Sequence, residues 1–438
     1  MTAARSINAD VAEALEEAKA NYAKVNPKSR GVHQKAVASL PGGNTRTGIF
    51  FDPFPIAWER GEGARLFDAD GHDYIDFISE ATAGIYGHSH PEIRKTVEKR
   101  LALGWNLGGH TALEGELAEI LIDRFPSIER VRFVNSGTEA NMFNLQIARI
   151  ATQRPAVMGF NGCYHGGFLT FTAKTNPLNV PFETVVGTYN DVEGTRALIQ
   201  KNAGRIAAVI LEAMMGGGGC ISANLEFLQM LREETKKHGI ILILDEVMSS
   251  RLSPGGLQQL TGVIPDLTSL GKYIGGGFSA GAFGGRADLM DLFDPRKSDH
   301  LPHSGTYNNN VFTLSAGITG LGKVYTKEAA KDLNARGDGL RKRLNAVCER
   351  AGVGMQYIGI GSMLCVHMQR GEIRRPEDTV NGNAKLRELY FFDLLSQGIH
   401  VMPKRGLIAL SLPLTDRDFD TLVAGVEEFI SARRSLFD

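Results

Sequence analysis

The chain has 438 residues, of which 43% are hydrophobic and 22% are charged, so it is long enough for two or three domains of ordinary globular composition. Its 48 Lys and Arg residues balance 49 Asp and Glu residues, which argues against a nucleic-acid partner. We find no secretory signal and no membrane-spanning apolar run, and therefore expect a cytoplasmic protein with no membrane partner. The 4 cysteines show no zinc-binding spacing, so we expect no metal site.

The first 80 residues predict one helix, a polar loop and a small antiparallel sheet. Residues 8–23 place Val11 and Leu15 on one face at helical spacing. Turn-forming residues dominate the loop at 40–47, and short alternating runs between 56 and 77 flank an Asp-Gly pair. That pair favours a hairpin turn, so we expect an antiparallel meander.

From Pro91 onwards the sequence alternates between strands and helices. We predict helices near 91–103, 113–124, 224–238, 311–324, 327–350, 380–396 and from Asp416, and strands near 131–134, 156–159, 184–186, 206–211 and 240–244. The last two of these strands are apolar on both faces, as in a parallel sheet covered by helices. We therefore expect an α/β fold with a large domain over 61–324 and a smaller α+β domain formed by 1–60 and 325–438.

One lysine follows an apolar strand and precedes a run of glycines, in the segment Thr268-Ser269-Leu270-Gly271-Lys272-Tyr273-Ile274-Gly275-Gly276-Gly277. No acidic residue lies between Leu267 and Gly285, so nothing nearby in the sequence offers the Lys272 ammonium an ion pair. An apolar setting favours the neutral amine, which attacks carbonyl carbons and forms a Schiff base. The alternative is a surface lysine on a flexible glycine loop.

A second motif, Asn135-Ser136-Gly137-Thr138-Glu139, follows a predicted strand and opens a predicted helix. Free backbone N–H groups at a helix N-terminus favour an anion, usually a phosphate. Ser136 and Thr138 add hydroxyl donors to this candidate site. The alternative is a plain helix cap in which Glu139 completes a capping box.

Two further residues are candidates for holding a flat, charged ring. Asp245 lies at the end of the strand 240–244, where open parallel sheets place ligand-binding groups, and it could keep a ring nitrogen protonated. Tyr164 precedes a His-Gly-Gly run and could stack on the ring. A metal site or helix cap at Asp245 and local packing of Tyr164 are the alternatives. With Lys272 and the anion site, the four features match the needs of pyridoxal 5'-phosphate (PLP).

The segments SGTEAN at 136–141, YHG at 164–166, LDEV at 244–247 and LGKYIGGG at 270–277 resemble, in order and spacing, the class III aminotransferases of the fold-type I PLP enzymes. The resemblance runs from about Leu40 to the C-terminus. It implies a PLP-binding large domain with a mostly parallel central sheet covered by helices. It also implies a homodimer whose active site lies at the subunit interface.

The resemblance also implies roles for individual residues. Lys272 holds the cofactor covalently and moves the proton during catalysis, while Asp245 pairs with the ring nitrogen. The remaining cofactor contacts are the phosphate ligands Ser136, Gly137 and Thr138, the ring-packing residues Tyr164 and Val247, and Thr306, which reaches the phosphate of the neighbouring subunit.

Within the class, the sequence is most similar to the glutamate-1-semialdehyde aminomutase branch and its relatives that act on β-amino acids. The resemblance predicts transamination of a β-amino acid, aromatic and similar to β-phenylalanine, to a β-keto acid, with 2-oxoglutarate or pyruvate as acceptor. We expect Arg46 to bind the donor carboxylate, Arg405 to bind a carboxylate of the acceptor, and Tyr86 to line the side-chain pocket.

Two alternative functions remain at this stage. An aminomutase would move the amino group within one molecule, although Arg46 stands where those enzymes have proline. The second alternative is a protein that binds the cofactor or a partner without catalysing a reaction. The presence of both Lys272 and Asp245 argues against this second alternative. Glu212, which precedes Ala213 and a glycine-rich segment, has no predicted role.

Overall fold

A computed structural model describes residues 2–171 and 176–437. Its α-helices, numbered in chain order, are α1 Thr2–Val25, α2 Pro27–Val37, α3 Pro91–Leu101, α4 Ala112–Arg124, α5 Gly137–Thr152, α6 Val192–Asn202, α7 Leu225–His238, α8 Gly256–Thr261, α9 Ala287–Met290, α10 Val311–Thr319, α11 Lys327–Ala351, α12 Ala384–Ser396 and α13 Asp416–Ala432. No helix among these described residues is long and apolar enough to cross a membrane.

The strands are β1 Trp58–Glu62, β2 Arg65–Asp68, β3 Asp73–Asp76, β4 Arg130–Val134, β5 Ala156–Phe160, β6 Glu183–Gly187, β7 Ile206–Leu211, β8 Met214–Met215, β9 Ile221–Ser222, β10 Ile241–Asp245, β11 Leu267–Gly271, β12 Gly281–Gly285, β13 Gln356–Ile360, β14 Met363–His367, β15 Ile399–His400 and β16 Leu407–Ala409. The strands and helices predicted above are confirmed, with ends that differ by a few residues.

The central sheet has seven strands in the order β4-β12-β11-β10-β7-β5-β6. Its strands pair in parallel except β12, which is antiparallel to both neighbours. Strands β5, β7, β10 and β11 are buried along their whole length, with α5 packed on β11 and α7 packed on β10. Apolar side chains on both faces explain this burial, and the α/β fold of the sequence prediction is confirmed.

The register of the parallel strands brings their carboxyl ends to one edge of the sheet. Leu244 of β10 is opposite Leu211 of β7, and Asp245 is opposite Ser269 of β11. Glu212, Asp245 and Lys272, which end or follow these three adjacent strands, are therefore neighbours despite their separation in sequence. Open parallel sheets bind ligands at this edge.

The glycine-rich segment after Lys272 contains a strand that the sequence did not reveal. Strand β12 runs antiparallel between β4 and β11 and is fully buried. A Cβ on Gly281 would lie 2.2 Å from the Ser136 carbonyl oxygen, and one on Gly285 would lie 2.2 Å from that of Asp266. Only glycine permits this close approach of backbones, so the composition reflects packing rather than a flexible loop.

Outside the central sheet, the described residues form the two-stranded pair β8-β9 and two larger sheets. The predicted meander is confirmed as β1-β2-β3, and β15 near the C-terminus extends it in parallel with β3. Strands β13, β14 and β16 form the other antiparallel sheet. Helix α1 packs on α12, so both ends of the chain contribute to this part of the molecule. The domain boundaries at 60/61 and 324/325 stay a prediction.

Candidate active site

Lys272 follows β11 directly and begins a 3₁₀ turn that ends at Gly275. Its φ of 58° lies in the left-handed region, which costs a residue with a side chain about 1–2 kcal/mol. Strain of this kind persists at functional sites when the surrounding structure holds it in place. Within the part of the chain that the structure describes, no group hydrogen bonds to the Lys272 amine.

The electrostatic setting of Lys272 favours its neutral form. Burial lowers the pKa of the amine below its ordinary value of 10.5, because the ammonium loses hydration. Asp245 and Glu212 act in the opposite direction, while the positive charges of Arg251 and Arg46 lower the pKa further. Arg46 is therefore within electrostatic range of the Lys272 amine, whose nucleophilic role stays a prediction.

Asp245 lies at the end of β10 and is 4% exposed. The hydrogen bonds that its carboxylate accepts hold it in one orientation. Its Oδ2 accepts a hydrogen bond of 2.8 Å from Asn141 Nδ2 and lies 2.8 Å from His165 Nδ1, while its Oδ1 accepts one of 3.0 Å from the Val247 amide. Sequence reasoning missed Asn141 and His165 as supports of this carboxylate. Their presence in the SGTEAN and YHG segments was the signal available.

The N-terminus of α5 combines a helix cap with a candidate phosphate site. Ser136 Oγ accepts a hydrogen bond of 3.2 Å from the Glu139 amide, and the Glu139 carboxylate accepts one of 3.0 Å from the Asn135 amide. The helix cap is therefore present, although Glu139 bonds the Asn135 amide rather than the amide of the N-cap residue Ser136 that a capping box would require. The first amides of a helix have no intrahelical acceptor, so the N–H groups of Gly137 and Thr138 remain suited to an anion.

Close contacts join this helix end to the other motifs. A Cβ on Gly271, the residue before Lys272, would lie 3.4 Å from the Gly137 amide nitrogen and 3.3 Å from Val247 Cγ1. A Cβ on Gly166 would lie 2.4 Å from Thr138 Oγ1. Four segments therefore meet at one place: the lysine loop (residues 271–277), the N-terminus of α5, the Asp245 segment (residues 245–247) and the Tyr164 segment (residues 164–166).

Glu212 connects two of the surrounding loops. It is 3% exposed, and its two carboxylate oxygens accept hydrogen bonds of 3.1 Å from the Tyr164 amide and 2.9 Å from the Gly216 amide. Burial raises the pKa of Glu212, with the nearby Asp245 adding to the effect and His165 opposing it. Glu212 thus holds the half-exposed Tyr164 and the glycine-rich segment in place, a role that the sequence left unassigned.

The two candidate arginines lie on loops that contact each other. Arg46 donates a hydrogen bond of 2.7 Å from Nη1 to Glu80 Oε1. The Arg405 guanidinium has no hydrogen-bond acceptor among the described residues, and a Cβ on Gly217 would lie 3.2 Å from its Nη1 and 3.9 Å from Tyr164 Cβ. Lys404 places its ammonium 5.5 Å from the Phe50 ring centroid, which joins the two loops.

The last two predicted residues are Tyr86 and Thr306, and Tyr86 lines a cavity of about 510 Å³ together with Glu80 and Gly276. Tyr86 is buried in the large hydrophobic core, and a Cβ on Gly320 would lie 2.5 Å from its hydroxyl oxygen. Thr306 is exposed on a turn, close to Asn308, whose side chain accepts a hydrogen bond of 3.0 Å from Asn135 Nδ2. Both assigned roles stay predictions.

The residues at this edge fit PLP. The Lys272 amine, which has no hydrogen-bond partner among the described residues, matches the aldehyde of that molecule. The oriented Asp245 carboxylate matches the ring nitrogen, and the α5 N-terminus matches the phosphate. The described residues contain no group of three or more His, Cys, Asp or Glu side chains that could hold a metal ion.

This chain is similar to several known proteins along most of its length. The family described as "Aminotransferase class-III" matches residues 51–415. The beta-phenylalanine transaminase of Variovorax paradoxus is 49% identical over 429 residues, 98% of each chain. A solved structure of a beta-phenylalanine aminotransferase from that organism matches with a TM-score of 0.96, covering 97% of this chain and 99% of the other. A glutamate-1-semialdehyde 2,1-aminomutase of Desulforudis audaxviator is 38% identical, covering 85% of this chain and 90% of its own.

Proposed function

Because this chain belongs to the class III aminotransferases and is a PLP-dependent enzyme, we propose that it transfers the amino group of an aromatic β-amino acid to a keto acid. The 49% identity to a beta-phenylalanine transaminase supports this donor. The structural observation that carries the proposal is the pair of arginines, Arg46 and Arg405, on adjoining loops beside the Lys272 site. An aminotransferase binds two carboxylates in turn, and the arginine fork suits each of them.

Bound PLP supplies a carbonyl carbon that exchanges amines and a protonated ring that withdraws electrons. Asp245 keeps a proton on the ring nitrogen, and Asn141 and His165 hold the carboxylate in the orientation this requires. Ser136, Gly137 and Thr138 hold the phosphate. The Lys272 amine would take the proton from the donor carbon that carries nitrogen and would deliver it to C4' of bound PLP rather than back to the donor.

We assign the donor carboxylate to Arg46 and a carboxylate of the acceptor, 2-oxoglutarate or pyruvate, to Arg405. Arg46 uses one nitrogen for Glu80 and retains further N–H donors, and the Arg405 guanidinium is free of acceptors among the described residues. The two carboxylates therefore need not share one arginine.

We also propose that the active unit is a cytoplasmic homodimer, with Thr306 reaching the phosphate of the partner subunit. Leu103, Trp105 and Leu107 are each more than half exposed, and Tyr307 is 63% exposed next to Thr306. Asn309 Nδ2 donates a hydrogen bond of 2.9 Å to the Gly109 carbonyl and connects these two exposed segments. Exposed apolar residues of this size are typical of an interface between subunits.

The test compares wild type, Arg46→Ala and Arg405→Ala with β-phenylalanine as donor and 2-oxoglutarate or pyruvate as acceptor. Losing one charge-assisted hydrogen bond costs about 1.5–3 kcal/mol, so we expect Arg46→Ala to lower kcat/KM for the donor roughly 10- to 150-fold. Arg405→Ala should instead lower kcat/KM for the acceptor. Both variants should keep the visible absorption band of bound cofactor.

The matched control is Arg60→Ala, since Arg60 is exposed and paired with Glu62 much as Arg46 is with Glu80. Unchanged donor kinetics in Arg46→Ala would refute the donor site. Formation of glutamate from 2-oxoglutarate in the wild type distinguishes an aminotransferase from an aminomutase, which needs no external acceptor.

A further inference from the structure

Four consecutive residues with side chains adopt left-handed backbone conformations. Their φ angles are 48° at Ser79, 50° at Glu80, 50° at Ala81 and 81° at Thr82. Each such residue brings its Cβ too close to backbone oxygen, and such residues normally occur singly. A run of four therefore requires strong support from the rest of the structure, and strain that is supported in this way clusters at functional sites.

The support comes from three buried groups on different parts of the chain. Asp76 Oδ1 accepts hydrogen bonds of 2.8 Å and 3.2 Å from the amides of Ile78 and Ser79. Ser79 Oγ donates a hydrogen bond of 2.8 Å to the carbonyl of Ala409 in β16. The fully buried Arg251 donates one of 3.0 Å from Nη1 to the Thr82 carbonyl. The turn is thus a rigid element.

The side chain that this rigid turn presents to Arg46 is Glu80. Arg46 itself lies on an exposed loop between two short 3₁₀ turns, Pro41–Gly43 and Thr47–Ile49, and its guanidinium contacts no other acceptor among the described residues. Glu80 also lines a cavity of about 510 Å³ together with Gly276 and Gly277, which follow Lys272. Glu80 therefore shares a cavity with the glycines that follow Lys272, and the charge of Arg46 acts on the Lys272 amine.

We propose that Glu80 is a positioning residue, which holds Arg46 by Nη1 so that the remaining N–H groups of the guanidinium face the donor carboxylate. This inference rests on the proposed donor site at Arg46. An arginine side chain without a partner loses considerable rotamer freedom when it binds a ligand, and this loss of entropy weakens binding. The ion pair with Glu80 restricts the Arg46 rotamers before the donor binds, so part of that entropy cost no longer falls on donor binding. The strained turn fixes the backbone from which the Glu80 side chain extends, and the Glu80 carboxylate restrains the arginine.

The decisive variant is Glu80→Gln, which keeps the shape and the backbone preference but removes the charge. An exposed ion pair contributes little, so we expect KM for the β-amino acid to rise about three- to fivefold, with kcat changed less than twofold and KM for the acceptor unchanged. In Glu80→Asp, the aspartate tolerates the left-handed φ well, and its carboxylate lies one methylene further from Arg46. We therefore expect the same rise in KM for the β-amino acid.

A double-mutant cycle with Arg46→Ala identifies the route of the effect. If Glu80 acts through Arg46, Glu80→Gln has no further effect on donor KM once Arg46 is alanine. The matched control is Glu62→Gln, which removes another exposed carboxylate paired with an arginine and should leave both KM values unchanged.

The outcomes separate the two proposals. No effect of Arg46→Ala on donor KM refutes the donor site itself. If Arg46→Ala raises donor KM but Glu80→Gln leaves it unchanged, or the two effects add, the positioning role is refuted. A lower donor KM in Glu80→Gln also overturns it, because Glu80 would then compete with the donor carboxylate for Arg46.

Discussion

Replacing Gly137 by alanine tests whether the α5 N-terminus and Val247 enclose the cofactor together. The added Cβ would lie 2.6 Å from Val247 Cγ2 and 2.8 Å from Cγ1. Carbon atoms pack at about 3.5–4.0 Å, so one side must move by roughly 1 Å. The Val247 backbone is held by its 3.0 Å hydrogen bond to Asp245 Oδ1, and Gly137 is the first residue of α5. Both residues are predicted to contact PLP, so either displacement disturbs the site.

Overpacking of this kind costs about 1–3 kcal/mol, which corresponds to roughly a 5- to 150-fold weaker affinity if the strain falls on the bound state. We expect the dissociation constant for PLP, measured by fluorescence titration of cofactor-free protein, to rise within that range in Gly137→Ala. Val247→Ala removes both methyl groups and should restore part of the affinity in the double variant.

The control is Gly115→Ala in α4, where an added Cβ meets nothing within 4 Å. A methyl there should leave PLP affinity unchanged. Wild-type PLP affinity in Gly137→Ala, or a double variant that binds no better than Gly137→Ala alone, would refute the assignment of Gly137 and Val247 to one cofactor pocket.

Two predictions concern pH. Burial lowers the pKa of Lys272, so the unfolded chain binds more protons than the folded chain between that lowered pKa and 10.5, and the resulting loss of stability persists at lower pH. Cofactor-free Lys272→Met should therefore melt at a higher temperature than wild type at pH 8, with the gap closing towards pH 10.5. Equal melting temperatures of the two proteins at both pH values would contradict this. Burial tends to raise the pKa of Asp76, but His400 and His88 outweigh it and hold that pKa well below its ordinary 3.8. The ionised Asp76 carboxylate therefore stabilises the fold above pH 3.8, and this stabilisation is lost as the pH falls below that value. Asp76→Asn should lower the free energy of unfolding in urea by about 2–4 kcal/mol at pH 7 and by much less near pH 2. A decrease in the free energy of unfolding that does not depend on pH would contradict this.

The sequence by itself predicted features that depend on neighbours along the chain. Helical spacing located α1 and α11, and unbroken apolar runs located β7 and β10. Lys272, Asp245 and the α5 N-terminus were identified because each lies directly after a recognisable strand. Periodicity, capping and strand ends are local patterns, and a single sequence displays them.

The tertiary structure alone decided which side chains support these residues. Asn141 donates to Asp245 across 104 positions, and Arg46 pairs with Glu80 across 34. Such pairs depend on strand order and register, which local patterns do not encode. The glycines of β12 show the same limit, because only the packed sheet reveals that Gly281 lies against the Ser136 carbonyl. The sequence thus specified the reacting groups, whereas the arrangement of the strands determined what orients them.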